Sequence, residues 1–184
     1  MNKGMVVTTD PLKSVEDVQK VRDAILGDLR ATALFNLGCN SAFRASDILR
    51  LKRKDLKGSE IFTREKKTNK LRRVTLNQLT VDSINAYLAS RTDTYDWMFV
   101  GQRGKMTHGY LGKLVKAWCL MAGVPPGRHA SHTLRKTFIR LQHMVYGVRL
   151  GTLMTAVNHS TEAQTLAYCG LTAEDVEKAY ANEI

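Results

Sequence analysis

The sequence predicts one α+β domain, mainly α-helical, with a small antiparallel three-stranded sheet. Three observations predict it. Several segments repeat apolar residues at the spacing of a helix face: Val18, Val21, Ile25 and Leu29; Val81, Ile84, Tyr87 and Leu88; Leu111, Leu114, Val115, Trp118 and Met121. Two strand-like runs, Glu60-Ile61-Phe62-Thr63-Arg64 and Leu71-Arg72-Arg73-Val74-Thr75-Leu76, flank a Lys/Asn turn as a hairpin would. The 184 residues, 43% apolar and 24% charged, suffice for one sizeable core.

Charge narrows the function. Lys and Arg number 28 against 17 acids, a formal net charge of +11, and the isoelectric point is about 9.8. That balance predicts a polyanionic partner, with nucleic acid first. An anionic membrane surface is the other basic-protein option, but no long basic amphipathic helix supports it. No apolar run reaches transmembrane length, and the first residues do not read as a signal peptide. Cys39, Cys119 and Cys169 are widely spaced, with no Cys-x-x-Cys and no zinc-like His/Cys cluster. They read as reduced, mostly buried thiols of a cytosolic protein.

Taken in order, residues 1–13 read as a flexible leader and residues 14–184 as the domain. Ser14 begins a capping-box pattern, and Gly27 separates a first helix from a second that runs from about Asp28 to Leu37. Gly38 and Asn40 suit the end of that helix. Arg44 follows the turn, and Asp47-Ile48-Leu49-Arg50-Leu51 reads as a short helix. An Arg at a helix N-terminus faces the positive end of the dipole, so it needs an anionic partner, either a carboxylate or a ligand. The basic run 52–57 reads as a solvated face or a phosphate contact. The hairpin turn carries Lys66, Lys67 and Lys70, which on their own are explained by protection of a sheet edge. Asn77 or Thr80 caps the next helix. Trp97-Met98-Phe99-Val100 is read as the third strand, and Thr107 as the cap of the helix that ends near Gly123.

The segment from Ser131 to Gly170 carries the chemistry. It opens with Ser131-His132-Thr133-Leu134-Arg135 and closes with Asn158-His159-Ser160, with Tyr168 nine residues after His159. Ser131 is a good N-cap, and Leu134, Phe138, Leu141 and Val145 continue a helix below it. His132 and Arg135, three apart, then share a face in the first turn, where exposed N–H groups and the dipole favour an anion. A guanidinium fork and imidazole donors suit a phosphate, and a phenol can act as a nucleophile. A helix from about Leu150 to Val157 leads to His159, Ser160 caps the helix bearing Tyr168, and Thr172 to Asp175 forms another capping box. His129 and His143 are read as non-catalytic.

His-x-x-Arg followed by a His and a Tyr resembles the signature of the tyrosine recombinases, the phage integrase family. The likeness covers nearly the whole chain. Ala42-Phe43-Arg44-Ala45-Ser46-Asp47 resembles the family's upstream Arg box, with Ala42 where Gly is usual and Asp47 where Glu is usual. Lys67 resembles its hairpin lysine, with Lys66 as the fallback, and Asn158 stands where the family has Gly. The resemblance implies a helical catalytic domain of the DNA breaking-and-rejoining type. In it Arg44, Arg135 and His159 hold the scissile phosphate and Asp47 buttresses the site. His132 is the candidate base for Tyr168, and Lys67 the general acid for the leaving 5′ oxygen. In such folds the helix after Thr107 often faces DNA, which makes Lys105, His108, Lys113 and Lys116 candidate contacts, with Lys66 and Lys70 of the hairpin turn beside them.

The implied reaction joins Tyr168 to a 3′ phosphate, releases a 5′ hydroxyl, and reverses onto the same or a partner strand. It needs no metal, nucleotide or other cofactor. The sequence agrees, since it has no phosphate-binding Gly-x-x-x-x-Gly-Lys loop. The expected partner is double-stranded DNA, bound by a homotetramer. A monomer in solution is compatible with that, and no membrane is involved. The expected location is cytoplasmic and nucleoid-associated, in a prokaryote, phage or mobile element. A separate N-terminal DNA-clamping domain, common in the family, is not expected within so short a leader. Two other readings share the fold: type IB topoisomerase-like strand relaxation, and a non-catalytic DNA-binding regulator.

Overall fold

The computed structural model describes residues 9–66 and 69–181. Helix α1 spans Val15–Ala24, α2 Leu29–Ser41 and α3 Ala45–Ile48. A 3-10 turn at Arg53–Asp55 leads into β1, Leu56–Lys57; β2 is Glu60–Arg64 and β3 Leu71–Thr75. Then come α4, Gln78–Ala89; β4, Val100–Gly101; β5, Gly104–Lys105; and α5, His108–Met121. The chain closes with α6, Ser131–Met144; α7, Leu150–Val157; α8, Glu162–Cys169; and α9, Ala173–Tyr180.

Side-chain caps set the helix starts. Ser14 Oγ accepts from the N–H of Asp17 at 3.0 Å, and Asp28 Oδ1 from Ala31 at 2.9 Å. Asn77 and Thr107 cap α4 and α5 in the same way, each satisfying an N–H that the helix leaves unpaired. Gly27 separates α1 from α2 with φ +116°, a conformation that side chains disfavour.

Helix α2 is the spine of the core. Its Ala31, Ala33, Leu34, Phe35 and Leu37 are buried, and it packs against α4 and α6. The ring of Phe35 meets Trp118 edge-on at 6.3 Å. The crossing with α6 depends on Gly38, because a Cβ there would overlap the side chain of Leu134. A second, smaller core of Ala42, Ile139, Leu153, Val157 and Cys169 lies beneath the candidate site, with Phe138, Val148 and Tyr168 packed on it.

The sheet has three antiparallel strands in the order β1-β2-β3, with Ile61 opposite Leu56 on one side and Val74 on the other. The expectation for its third strand needs correcting. Residues 97–100 do not join this sheet. Trp97 makes an isolated bridge to Lys52, and Val100–Gly101 pairs with Gly104–Lys105 in a separate two-stranded ribbon. The short strand after the 3-10 turn takes the third place because only two residues, Gly58 at φ +60° and Ser59, separate it from β2.

The leader also differs from expectation where it is described. Leu12 is buried and donates its N–H to Thr137 Oγ1 at 2.9 Å. Asp10 bonds Arg128 both through its backbone N–H, at 3.1 Å, and through its carboxylate, at 2.8 Å. Residues 9–13 therefore belong to the packed domain, and residues 1–8 lie outside the described residues. Val145 and Met121, read as apolar helix faces, are exposed at helix ends. Cys39, Cys119 and Cys169 are free and buried. Among the described residues no helix is long and apolar enough to cross a membrane.

Candidate active site

Helix α6 supplies the first two residues. Its N-cap is Ala130 rather than Ser131. The Ala130 N–H is donated to Thr133 Oγ1 at 3.0 Å, and the Ser131 hydroxyl is engaged instead by His108 Nε2 at 3.0 Å. His132 lies in that first turn with its ring 5.8 Å from that of His108. Burial, then the neighbouring His108 and Arg135, push the His132 imidazole below its ordinary value. It is therefore a neutral proton acceptor at neutral pH.

Arg135, one helical turn on, is 1% exposed. Its Nη1 donates to the carbonyl of Ala42, and its Nη2 donates to Val157 O at 2.7 Å and to His159 Nε2 at 3.1 Å. Its Nε–H is buried with no acceptor. Burial, then the positive charges of Arg44 and Arg72, lower its affinity for the proton. These are conditions that an added anion would relieve.

Arg44 is the N-cap of α3 and follows Ala42, which holds the left-handed conformation at φ 54° that glycine favours. Two buried acids meet Arg44: Asp47, the residue expected to buttress the site, and Glu65. Asp47 Oδ2 lies 4.0 Å from Arg44, while Oδ1 accepts the N–H of Lys66 at 2.9 Å. Arg44 pairs more closely with Glu65, Nη1 to Oε2 at 2.9 Å. Asp47 thus fixes the base of the hairpin, and Glu65 holds the guanidinium.

Glu65 is a hub. Though 2% exposed, it also accepts from Asn158 Nδ2 at 3.0 Å and lies 3.5 Å from Arg72. Arg72 stacks its guanidinium over Phe43 at 4.5 Å and donates to Ser41 O and Ala156 O at 2.9 Å each. Sequence reading missed both residues, yet a signal was there. Glu65 is in phase with buried Ile61, and Arg72 with half-buried Val74. A charge on the inward phase of a strand requires a buried partner.

His159 follows Asn158, which terminates α7 in the left-handed region at φ 53°, ψ 51°. Nδ1 of His159 lies 3.1 Å from Thr165 Oγ1. Arginine can only donate, so Nε2 is the acceptor in the bond from Arg135, and Nδ1 carries the proton toward Thr165. Tyr168 sits on α8, whose N-cap is Thr161 and not Ser160. Its ring meets His159 edge-on at 4.9 Å, with Arg135 Cζ 5.6 Å and Lys136 Nζ 5.7 Å away. The buried Lys136 was not anticipated.

The end of this helix is fastened by Arg140. It donates to Gly170 O at 3.0 Å and grips the Asp175 carboxylate at 2.8 and 3.0 Å. The Arg140 guanidinium holds the Asp175 carboxyl well below its usual range, at about 2.

Arg44, Lys70, Asn158, His159, Ser160, Gln164 and Tyr168 line an open cleft of about 580 Å³. Lys67 lies outside the described residues. Lys66 is exposed beside the hairpin turn, with its main chain held by Asp47. Lys105 covers the Trp97 ring at 4.1 Å, and His108, Lys113 and Lys116 are exposed on α5. His129 and His143 engage the backbone carbonyls of Pro125 and Val148. Among the described residues no cluster of three or more His, Cys, Asp or Glu could hold a metal ion.

The fold is mainly helical, and guanidinium, imidazole and phenol groups share one open cleft. The chain belongs to the phage integrase family, which it matches over residues 13–175. It is 28% identical over 174 residues to the probable integrase/recombinase YoeC of Bacillus subtilis, covering 92% of this chain and 94% of that protein. It is also 28% identical to the tyrosine recombinase XerA of Thermococcus onnurineus, across 89% of this chain and 59% of that one. Among solved structures, XerA recombinase superposes with a TM-score of 0.80 at 19% identity, covering 98% of this chain and 66% of that chain. XerH recombinase bound to its difH substrate, in a post-cleavage complex, superposes with a TM-score of 0.78 at 22% identity, covering 96% and 54%. The fold is thus that of the recombinases. The chain spans about three fifths of the XerA recombinase from Thermococcus and nearly all of YoeC.

Proposed function

We propose that this chain is a site-specific DNA recombinase or integrase that cuts and rejoins strands through a covalent 3′-phosphotyrosyl bond at Tyr168. The observation that carries the reading is the meeting of Tyr168, His159 and Arg135, with Arg44 on the same cleft. Four of the six residues singled out by the family resemblance come from three separate parts of the chain to this one place.

The chemistry follows from charge. As the Tyr168 oxygen attacks phosphorus, negative charge grows on the non-bridging oxygens, and preorganised cations and donors aimed there stabilise the transition state. Arg44 and Arg135 supply the cations and His159 the donor. His132, neutral at pH 7, accepts the phenolic proton. The departing 5′ oxygen needs a proton, and Lys67 gives it. The bond energy is kept in the phosphotyrosyl link, so a 5′ hydroxyl can reseal the strand without a nucleotide. The basic surface, including Lys70, Lys105, Lys113 and Lys116, binds the DNA backbone, and binding weakens steeply with salt. The working unit on DNA is a tetramer.

The test is covalent trapping. The protein is incubated with nicked duplexes carrying genomic-junction sequence and then denatured. A DNA adduct lost in Tyr168→Phe, which still binds DNA, is expected. Cleavage retained by that variant would refute the nucleophile. Resealing to a partner strand separates recombination from relaxation of the original strand.

A further inference from the structure

We propose that Glu65 and Asn158 form a latch that sets the lysine hairpin against the His159 segment and presents Arg44 to the phosphate. The proposal rests on the reading of the cleft given above and adds two positioning residues to it.

Three elements meet at one carboxylate. Glu65 directly follows β2. Its backbone bonds across the hairpin, with Glu65 N–H to Lys70 O at 3.0 Å and Asn69 N–H to Glu65 O at 2.9 Å. Its Oε2 takes Arg44 Nη1 at 2.9 Å and Asn158 Nδ2 at 3.0 Å. Asn158 is the residue directly before His159, and its left-handed backbone turns the chain from α7 toward the cleft. Glycine could hold that backbone equally well but has no amide to give. The asparagine therefore adds a bond that joins segments 93 residues apart.

The bond is buried, so breaking it is costly. Glu65 is 2% exposed, and a carboxylate out of water requires its partners. Removing the Asn158 amide leaves the carboxylate with Arg44 and Arg72 among its partners and the hairpin tied to α7 through Arg72 and Ala156 O. It cuts the bond to the residue next to His159, however, and loosens the hairpin there. A displacement of about 1 Å in a reacting group slows chemistry by roughly 10²-fold. The consequence belongs to the cleavage step rather than to DNA affinity, which the wider basic surface carries.

The test uses Asn158→Gly, Asn158→Asp and the swapped pair Glu65→Gln with Asn158→Asp. Asn158→Asp sets two carboxylates against each other, whereas the swap restores one donor and one acceptor. Single-turnover cleavage of the trapping substrate is measured at saturating DNA, with DNA affinity and melting temperature in parallel. Asn158→Gly is expected to cleave at least about tenfold more slowly with affinity nearly unchanged. Asn158→Asp is expected to be slower still, and the swap to recover most of that loss. Wild-type cleavage by Asn158→Gly, or no recovery in the swap, would overturn the latch. If the wild-type protein forms no adduct, the recombinase reading fails on its own. The latch is then judged by melting temperature: recovery in the swap supports it, and independent losses overturn it.

Discussion

Arg135 donates to His159 Nε2 at 3.1 Å, and that bond fixes which nitrogen of His159 carries the proton. With Nε2 an acceptor, Nδ1–H points to Thr165 Oγ1, 3.1 Å away and fully buried. To serve as a phosphate donor, His159 must release Arg135 and present an N–H, and Thr165 decides how readily the ring does so. Thr165→Val keeps the shape and removes the oxygen. The expected result is a cleavage rate about tenfold lower with little change in DNA affinity. That is a smaller loss than the roughly 10²–10³-fold seen when a transition-state donor is deleted outright, because the ring remains. Single-turnover trapping measures it, and an unchanged rate would remove Thr165 from the site.

The fastening of the Tyr168 helix is acid-sensitive. The Asp175 carboxyl is held at about 2 against an ordinary 3.8, first by its hydrogen bond to Arg140. Its folded pKa is depressed, so its contribution to stability is complete above about 3.8 and is lost as pH falls toward about 2. Asp175→Asn lacks this dependence. The wild-type advantage over Asp175→Asn in melting temperature is therefore expected to be level near neutrality and to shrink between those two values. Hydrogen exchange should report the loosening first in α8 and α9. A constant difference across that range would contradict the ion pair's role.

Much of this fold is readable from local chemistry. Asn77, Thr107 and Thr172 stand before apolar-periodic runs, and each caps its helix. Asn158 was recognisable as tolerant of a left-handed turn and adopts one. The failures are cases where tertiary partners decided between local options. Ser131 is a good cap by type, but His108 engages its hydroxyl and Thr133 satisfies the Ala130 N–H. Ser160 and Thr161 are both capping types, and one residue separates the right answer from the wrong one. Asp47 stood at the family's spacing for a buttress and lies 4.0 Å from Arg44, but the carboxylate that hydrogen-bonds Arg44 comes from 21 residues away. Sequence order cannot supply that distance. Strand phase could have raised Glu65 as a question, but only the hairpin's docking onto α3 and α7 answers it.

His132 gives a second pH signature, of opposite chemical origin. Burial and the adjacent His108 and Arg135 lower its proton affinity below the ordinary 6.5. The folded state thus resists protonation, and stability falls as pH drops below about 6.5, where the unfolded chain takes up the proton more readily. His132→Gln should abolish that part of the pH dependence. If the neutral ring accepts the proton of Tyr168, as proposed, the acid limb of the cleavage profile should lie below 6.5 in the wild type and flatten in a slower His132→Gln. An acid limb that survives the substitution unchanged would assign the base elsewhere.

The approach of α2 to α6 links the core directly to the site. A Cβ at Gly38 would overlap the side chain of Leu134. Four residues on, Ala42 ends α2 and offers its carbonyl to Arg135, which is the residue after Leu134. Forcing the helices apart at Gly38 therefore also pulls Arg135 away from Ala42. Gly38→Ala should cost about 1–3 kcal/mol by overpacking and slow cleavage as well. Leu134→Ala alone should cost about 2–5 kcal/mol through the cavity it leaves. With both changes, the new methyl enters the vacated space, so the double variant should lose less than the sum of the single losses. Thermal melts and single-turnover trapping of the four proteins measure both effects. Additive losses in stability would show that the two helices do not meet at this point. Lost stability with unaltered cleavage would show that the spacing of α2 and α6 is not what holds Arg135 in register.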